Sequence, residues 1–305
     1  MKVFITGGTG FVGTHLTKQL TGQGVQVTLL TRSIKPGRPL PQGAAYLEGD
    51  PTRPGPWQNE AAPHEIFINL AGASIFQRWT DEYKIALRES RIRTTRNLVQ
   101  ALSLDKGREK VLISTSAVGY YGFHQDEELD EEAPAGTDFL AALARDWESE
   151  AGRAEEWGVR VIRSRFGIVM GDKGGALDQM VSLFKKGLGS RLGSGKQWFS
   201  WIHQQDLSDI LLFLINQKGL SGPVNCTSPY PVQNRDLTRV LGEVLRKPTL
   251  LPPVPGFMLR LIMGEFGNVL LKGQRVLPRK LQSLGFSFRF PTIKEALNDL
   301  LNKPK

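Results

Sequence analysis

A single cysteine, Cys226, stands among the 305 residues. That excludes an internal disulfide framework and any cysteine-based zinc site. One free thiol is in keeping with a reducing compartment. Histidine is also scarce, with four residues and no His or Cys partner at metal-ligand spacing, so no metal is expected. No stretch approaches the ~18 consecutive apolar residues of a membrane span. The apolar run Val3–Ile5 passes straight into glycines and is too short for a signal peptide. These absences point to a soluble, cytoplasmic protein with no membrane partner. The net charge of +9 raises nucleic acid as a partner. Lys and Arg are scattered, however, in groups no larger than Lys185-Lys186 and Arg275–Lys280, whereas nucleic-acid binding requires a clustered face. The basic balance reads as a basic surface with local phosphate sites and no nucleic-acid partner.

What is present is an alternation. Short apolar runs at Val3–Ile5, Val25–Leu30, Ala45–Leu47, Ile66–Leu70, Val111–Ser114 and Val159–Arg163 alternate with helical patterns at Phe11–Thr21, Tyr83–Leu102 and Phe139–Trp157. Strands read as continuous apolar runs when both faces of a parallel sheet are covered by helices. The expected fold is therefore α/β, a Rossmann-type doubly wound parallel sheet with a smaller C-terminal lobe. Texture changes near Gly171: Gly187–Gly195 and Ser221–Asn234 are loop-like and Lys247–Gly256 carries four prolines. Phe257–Leu271 and Thr292–Leu301 look helical, with an aromatic strand at Phe286–Phe290 between them. The expected division is residues 1–170 for the sheet domain, with 203–228 returning to it, and 171–202 plus 229–305 for the substrate-type lobe.

The stretch Thr6-Gly7-Gly8-Thr9-Gly10-Phe11-Val12-Gly13 lies between a strand and a helix, the context that makes a glycine fingerprint informative. Gly7 suits a tight turn. Gly10 lets a pyrophosphate approach the backbone, and Gly13 lets the helix pack close to the strand. The N–H groups at the start of the helix, from Phe11 and Val12 onward, then face the anion. The other reading is a strand–helix turn without ligand. The kinase phosphate loop is excluded, because no Gly-Lys-Ser/Thr follows. The second strand ends Leu29-Leu30-Thr31-Arg32-Ser33, with Lys35 and Arg38 close behind. No acid stands there to bond a ribose 2′-hydroxyl, whereas a guanidinium pairs with a 2′-phosphate. NADP(H) is the expected cofactor, with Arg32 as main contact and Thr31 or Ser33 assisting.

The form TGGTGFVG resembles the fingerprint of extended short-chain dehydrogenases/reductases. That resemblance implies an adenine contact at Asp50, a backbone lying against the cofactor at Leu70, Ala71 and Gly72, and a Ser or Thr after the fifth strand, met here by Ser116. It also implies a Tyr-x-x-x-Lys pair on the next helix, in which the lysine lowers the tyrosine pKa for proton exchange. That pair is missing from the whole chain. Setting Glu148 against the glutamate common in that helix puts Leu140 in the tyrosine place and Ala144 in the lysine place. The blocks RWTDEYK, SRIRTTRNLV, SAVGYYG, FLAALARDWE, GIVMGDKGGAL, LGSGKQWFSWIHQQDL and PVNCTSPYPVQN follow in order across nearly the whole chain. Together they are similar to the atypical extended family labelled "epimerase family protein", or nucleoside-diphosphate-sugar epimerase-like, in which the pair is commonly absent.

Residues that could replace the relay are Ser116, Tyr120 and Tyr121. Each has a bland alternative: Ser116 as a turn cap, and the tyrosines as packing under the loop. Arg91 reaches the cofactor phosphates on the family reading, or is a solvated helix residue. Trp198, Phe199, Trp201 and His203 form either a nucleotide platform or core, with His203 and Asp206 fixing a strand-to-helix turn. The acidic run Asp126–Glu132 reads as a solvated loop over the cleft. The expected partner is a small carbonyl compound or nucleotide sugar, and a homodimer is an open expectation. The function follows as an NADP(H)-dependent oxidoreductase or epimerase, with Ser116 polarising a carbonyl, or as a cofactor-binding protein without turnover.

Overall fold

The computed structural model describes residues 1–34, 37, 39–105, 107–172 and 174–302. Lys35 and Arg38, the two cations expected behind Arg32, lie outside the described residues. In chain order the first half comprises β1 (Lys2–Thr6), α1 (Phe11–Gly22), β2 (Gln26–Thr31), β3 (Ala44–Glu48), α2 (Trp57–Ala61), β4 (Ile66–Asn69), α3 (Asp81–Ser103), β5 (Val111–Ala117), β6 (Glu128–Leu129) and α4 (Phe139–Gly152). The second half adds β7 (Arg160–Phe166), β8 (Ile168–Met170), α5 (Gly175–Lys185), β9 (Trp198–Phe199), β10 (Trp201–His203), α6 (Gln204–Asn216) and β11 (Gly222–Cys226). It closes with β12 (Val232–Gln233), α7 (Asn234–Leu245), α8 (Gly256–Met263), α9 (Phe266–Leu271), β13 (Arg275–Val276), α10 (Arg279–Ser283) and α11 (Ile293–Leu301).

Among the described residues, seven strands form one sheet in the order β11-β7-β5-β4-β1-β2-β3, and every neighbouring pair is parallel. The apolar runs explain why both faces are covered. Successive strand side chains point to opposite faces. Val3, Ile5, Ile66, Ile68, Val111 and Ile113 accordingly join one buried cluster with α1 and α6. Phe4, Phe67 and Leu112 join the other, under α2 and α3. Strand order reverses between β1 and β4, so the carboxyl ends of those two strands flank a crevice, the place where open α/β sheets bind ligands.

β11 extends the sheet beside β7, in register from Gly222↔Ile162 to Cys226↔Phe166. A separate apolar cluster joins α5, α7 and α11 around Trp201. Helix α11 starts with a capping box, Thr292 and Glu295 each bonding the other's backbone, which stabilises a helix start.

Three expectations are corrected here. The expected strand Phe286–Phe290 is irregular chain. Its alternating aromatics do pack, Phe286 against Phe213 and Phe288 and Phe290 against His203. The backbone N–H groups of Arg289 and Phe290 donate to the buried Asp206 carboxylate at 2.8 and 3.0 Å instead of to a neighbouring strand. Phe257–Leu271 is two helices, parted at Gly264, whose φ of +63° is left-handed. The acidic run is not wholly a solvated loop. Glu131 is buried, where it accepts the backbone N–H groups of Asn225 and Lys280, and burial raises its carboxyl above the usual range.

Candidate functional site

The crevice begins at the glycine loop. Gly7 has φ +71°, and a Cβ there would lie 2.7 Å from the Ala71 nitrogen and the Leu70 carbonyl carbon. Only glycine lets the loops after β1 and β4 close on each other in this way. A Cβ on Gly13 would strike the Gly7 carbonyl oxygen and come within 2.5 Å of the Gly8 Cα, so α1 lies directly on the loop. Gly10 is exposed and extended, and its N–H donates to the Gly7 carbonyl at 2.9 Å. No side chain caps α1 among the described residues. The N–H groups of Phe11, Val12 and Gly13 are therefore the unsatisfied donors of the helix start, where an anion is favoured. The Phe11 ring lies beside Gly174 and Gly175, whose missing Cβ atoms would approach it to 3.1 and 3.0 Å.

At the end of β2, Arg32 and Ser33 are exposed, and the Thr31 hydroxyl donates to the Ser33 carbonyl at 3.1 Å, shaping the turn. Asp50 is half-buried past β3. Burial pushes its carboxyl up. Bonds from the Thr52 hydroxyl and N–H, with the charges of Arg32 and Arg53, outweigh that and hold it below the usual range. Arg32 and Asp50 thus frame one rim of the crevice as a cation and an anion.

Leu70, Ala71 and Gly72 follow β4. A Cβ on Gly72 would lie 3.1 Å from the Arg91 guanidinium carbon. Arg91 is no solvated helix residue. Its N–H groups donate to the Ala73 and Leu87 carbonyls at 3.0 Å, and it lies over the Trp147 ring, 5.2 Å from its centroid. Burial lowers its pKa to about 10. Its place is under the loop, which it positions. Below it, the Thr6 hydroxyl donates to Asn69 Oδ1 at 2.6 Å, and Asn69 Nδ2 and the Trp147 indole both donate to Thr95 Oγ1. This buried chain ties β1, β4, α3 and α4 into one rigid floor.

The hydroxyls expected to do chemistry are placed differently from one another. Ser116 is buried at the end of β5 and donates to Glu148 Oε1 at 2.7 Å. Glu148 in turn accepts two bonds from Arg165, at 2.8 and 2.9 Å. A carboxylate paired with a guanidinium accepts only, so the Ser116 proton is committed to Glu148. In this arrangement the Ser116 proton is directed at Glu148, so a hydrogen bond from Ser116 to a carbonyl requires its hydroxyl to turn away from that carboxylate. Tyr121 is wholly buried; its hydroxyl accepts from Arg165 at 2.9 Å and donates to Asn225 Oδ1 at 2.7 Å. Burial pushes its pKa well up, against the pull of Arg165. Tyr121 is thus a packing residue rather than a proton donor to substrate. Tyr120 is half-buried, with the Arg165 guanidinium 3.5 Å from its ring centroid.

Leu140 and Ala144 lie on α4 beside this network. Leu140 is half-buried, and a Cβ on Gly119 would sit 3.3 Å from its own Cβ. No ionisable group stands at either place. Trp201 is fully buried and Trp198 half-buried, its indole donating to Asp126 at 2.8 Å. His203 accepts the Gln205 N–H and starts α6, a turn-fixing part. No group of three or more metal-ligating side chains occurs among the described residues.

Residue types alone did not reveal the Glu148–Arg165 pair, although a signal existed. Arg165 stands in an inner strand of the sheet, β7, which carries three arginines, and a guanidinium buried there demands a carboxylate.

The NAD dependent epimerase/dehydratase family model matches residues 3–226, and a domain of unknown function, DUF1731, matches 254–300. An "epimerase family protein SDR39U1 homolog, chloroplastic" of Arabidopsis thaliana is 38% identical over 99% of this chain and 87% of that protein. "Epimerase family protein YfhF" of Bacillus subtilis is 38% identical over 99% and 98%. A crystal structure of human epimerase family protein SDR39U1 (isoform 2) with NADPH superposes with a TM-score of 0.86 at 30% identity, covering all of both chains. A UDP-glucuronic acid 4-epimerase of Bacillus cereus shares the fold, with a TM-score of 0.80 at 15% identity. With sheet order, glycine loop and these matches in agreement, the chain belongs to the NAD dependent epimerase/dehydratase family.

Proposed function

We propose that the chain binds NADP(H) in the crevice between β1 and β4 and acts as an oxidoreductase or epimerase of the extended short-chain dehydrogenase type. The observation that carries the reading is the rim. An uncapped helix start lies over the glycine loop, and a guanidinium rather than a carboxylate stands at the end of β2. Gly7, Gly10, Phe11, Val12 and Gly13 would hold the diphosphate. Arg32, with Thr31 or Ser33, would hold the 2′-phosphate, Asp50 would face the adenine, and Leu70, Ala71 and Gly72 would lie along the dinucleotide over Arg91. Residues 1–170 with 203–228 are read as the cofactor domain, and 171–202 with 229–305 as the substrate side. When bound, the cofactor supplies hydride transfer at its nicotinamide.

This chain's own residues supply orientation and exclusion of water more than proton transfer. Ser116 donates its hydroxyl proton in a hydrogen bond to Glu148, which leaves its oxygen to accept a hydrogen bond from a bound substrate. Tyr120 is the remaining candidate hydroxyl with an exposed side. The second reading, a cofactor-binding protein without turnover, is favoured by Leu140 and Ala144, which cannot relay a proton. NADPH oxidation followed in the presence of a panel of carbonyl compounds and nucleotide sugars separates the two. Turnover with one class supports the enzyme. Tight NADPH binding without turnover on any compound supports the second reading, and no NADPH binding removes both.

A further inference from the structure

We propose that the chain docks peripherally on an anionic lipid surface, with helix α8 lying in the plane of the headgroups. This contact is independent of what the crevice binds. The expectation of no membrane partner rested on the lack of a spanning run, and a peripheral contact needs none.

The ground for it is an apolar stripe that α8 turns outward. No residue of this helix, all of which is described, is buried. Phe257, Met258, Leu261 and Ile262 are exposed, Leu261 to 73%. Their spacing along the helix puts them on one face. The half-buried Gly256, Leu259 and Met263 share the other, where α9 packs so closely that a Cβ on Gly267 would lie 2.6 Å from the Leu259 carbonyl carbon. Ahead of the helix, Leu250 and Leu251 are also exposed, Leu250 to 91%. The backbone that bears them is held in place: the Ser190 hydroxyl donates to the Pro252 carbonyl at 2.6 Å, and the Val254 N–H donates to the Arg191 carbonyl at 2.9 Å. Large apolar side chains left in water in such a row mark a contact surface.

Charge identifies the partner. No acid occurs between Glu243 and Glu265, a stretch that carries Arg246, Lys247 and Arg260. None occurs between Asp178 and Asp206 either, a stretch that carries Lys185, Lys186, Arg191 and Lys196. All of these cations are exposed, and the two stretches meet at the bridge between Leu192 and Val254. The acids that bound the first stretch are committed to other cations, Glu243 to Arg239 and Glu265 to Lys84, each at 2.7 Å. A second copy of the chain would bring this one-sign charge against itself, which is costly. A protein partner forms hydrogen bonds across its interface, and the side chains of the stripe offer none. Apolar side chains flanked by cations match an anionic bilayer, where the stripe enters the acyl boundary and the cations meet the phosphates.

Flotation of the full chain with lipid vesicles tests this, one set made of phosphatidylcholine and the other of an equimolar mixture with phosphatidylglycerol. Binding to the mixed vesicles alone is expected, and it should weaken as salt rises. Phe257→Ser combined with Leu261→Ser should weaken it at least about tenfold. Arg246→Gln combined with Lys247→Gln should weaken it about 30-fold. Leu104→Ser, at an exposed leucine after α3, should leave it unchanged. Each variant should keep the wild-type melting temperature, so that a loss reports on the surface and not on folding. No flotation with the mixed vesicles overturns the proposal. So does equal binding to both vesicle sets, or binding that survives the Phe257 and Leu261 substitutions. A dimer in solution that those two substitutions dissociate assigns the stripe to a second copy and likewise overturns it.

Discussion

Ser116, Glu148 and Arg165 decide what kind of chemistry this crevice can do. A guanidinium that is 3% exposed, facing a carboxylate at 2.8 Å, is favourable only while both partners remain. Removing one leaves a buried charge alone, at a cost of about 3–5 kcal/mol. Glu148→Ala should therefore lower stability by that amount in denaturant unfolding, whereas an exposed pair such as Arg239–Glu243 should give about 1 kcal/mol or less. Equal losses at the two pairs would show that the buried network is not held by charge. At this scale the sequence was only partly legible. Arg32 can be read from its place at the end of β2, and Ser116 and the missing pair at Leu140 and Ala144 from the family resemblance. The commitment of the Ser116 proton cannot, because its partner lies 32 residues away on α4.

The elements were more legible, since they follow from local pattern. The continuous apolar runs do form the parallel strands, and alternation within each run divides it between two layers. Phe286–Phe290 is the instructive exception. Its period-two aromatics find ring partners, yet the N–H groups of Arg289 and Phe290 go to Asp206, a long-range partner that periodicity does not encode. Likewise the break at Gly264 allows Trp79 and Gly264 to pair as an isolated bridge. The junction of β1 and α1 is the element on which the site depends most. Gly13→Ala puts a methyl group against backbone atoms that have nowhere to go. It should cost about 1–3 kcal/mol in stability and, by lifting α1 from the loop, reduce NADPH affinity more than stability alone explains. Thermal unfolding and calorimetry together check this. An unchanged affinity would remove the loop from the cofactor's path.

At the scale of the whole molecule, stability should carry a mark of pH. His64 is buried, its Nδ1–H donating to the Ala61 carbonyl and its Nε2 accepting from Thr28, each at 2.9 Å. Burial lowers its pKa below 6.5. The unfolded chain therefore binds a proton before the folded one does, so this contribution is complete above the unfolded value and is lost as pH falls through the lower folded value. Melting temperature should decline as pH drops below about 6.5, and His64→Gln should flatten that decline. Identical slopes would assign the effect to other groups. No helix among the described residues is long and apolar enough to cross a membrane.

The central claim is that a guanidinium at the end of β2 selects the 2′-phosphate of NADP(H). Titrating NADPH and NADH separately into the wild-type chain and into Arg32→Asp tests it most directly. A charge-assisted bond of about 1.5–3 kcal/mol predicts that the variant loses roughly 10- to 100-fold in NADPH affinity while NADH affinity stays level or improves. Equal losses for the two dinucleotides, or no binding of either by the wild-type chain, would contradict the account.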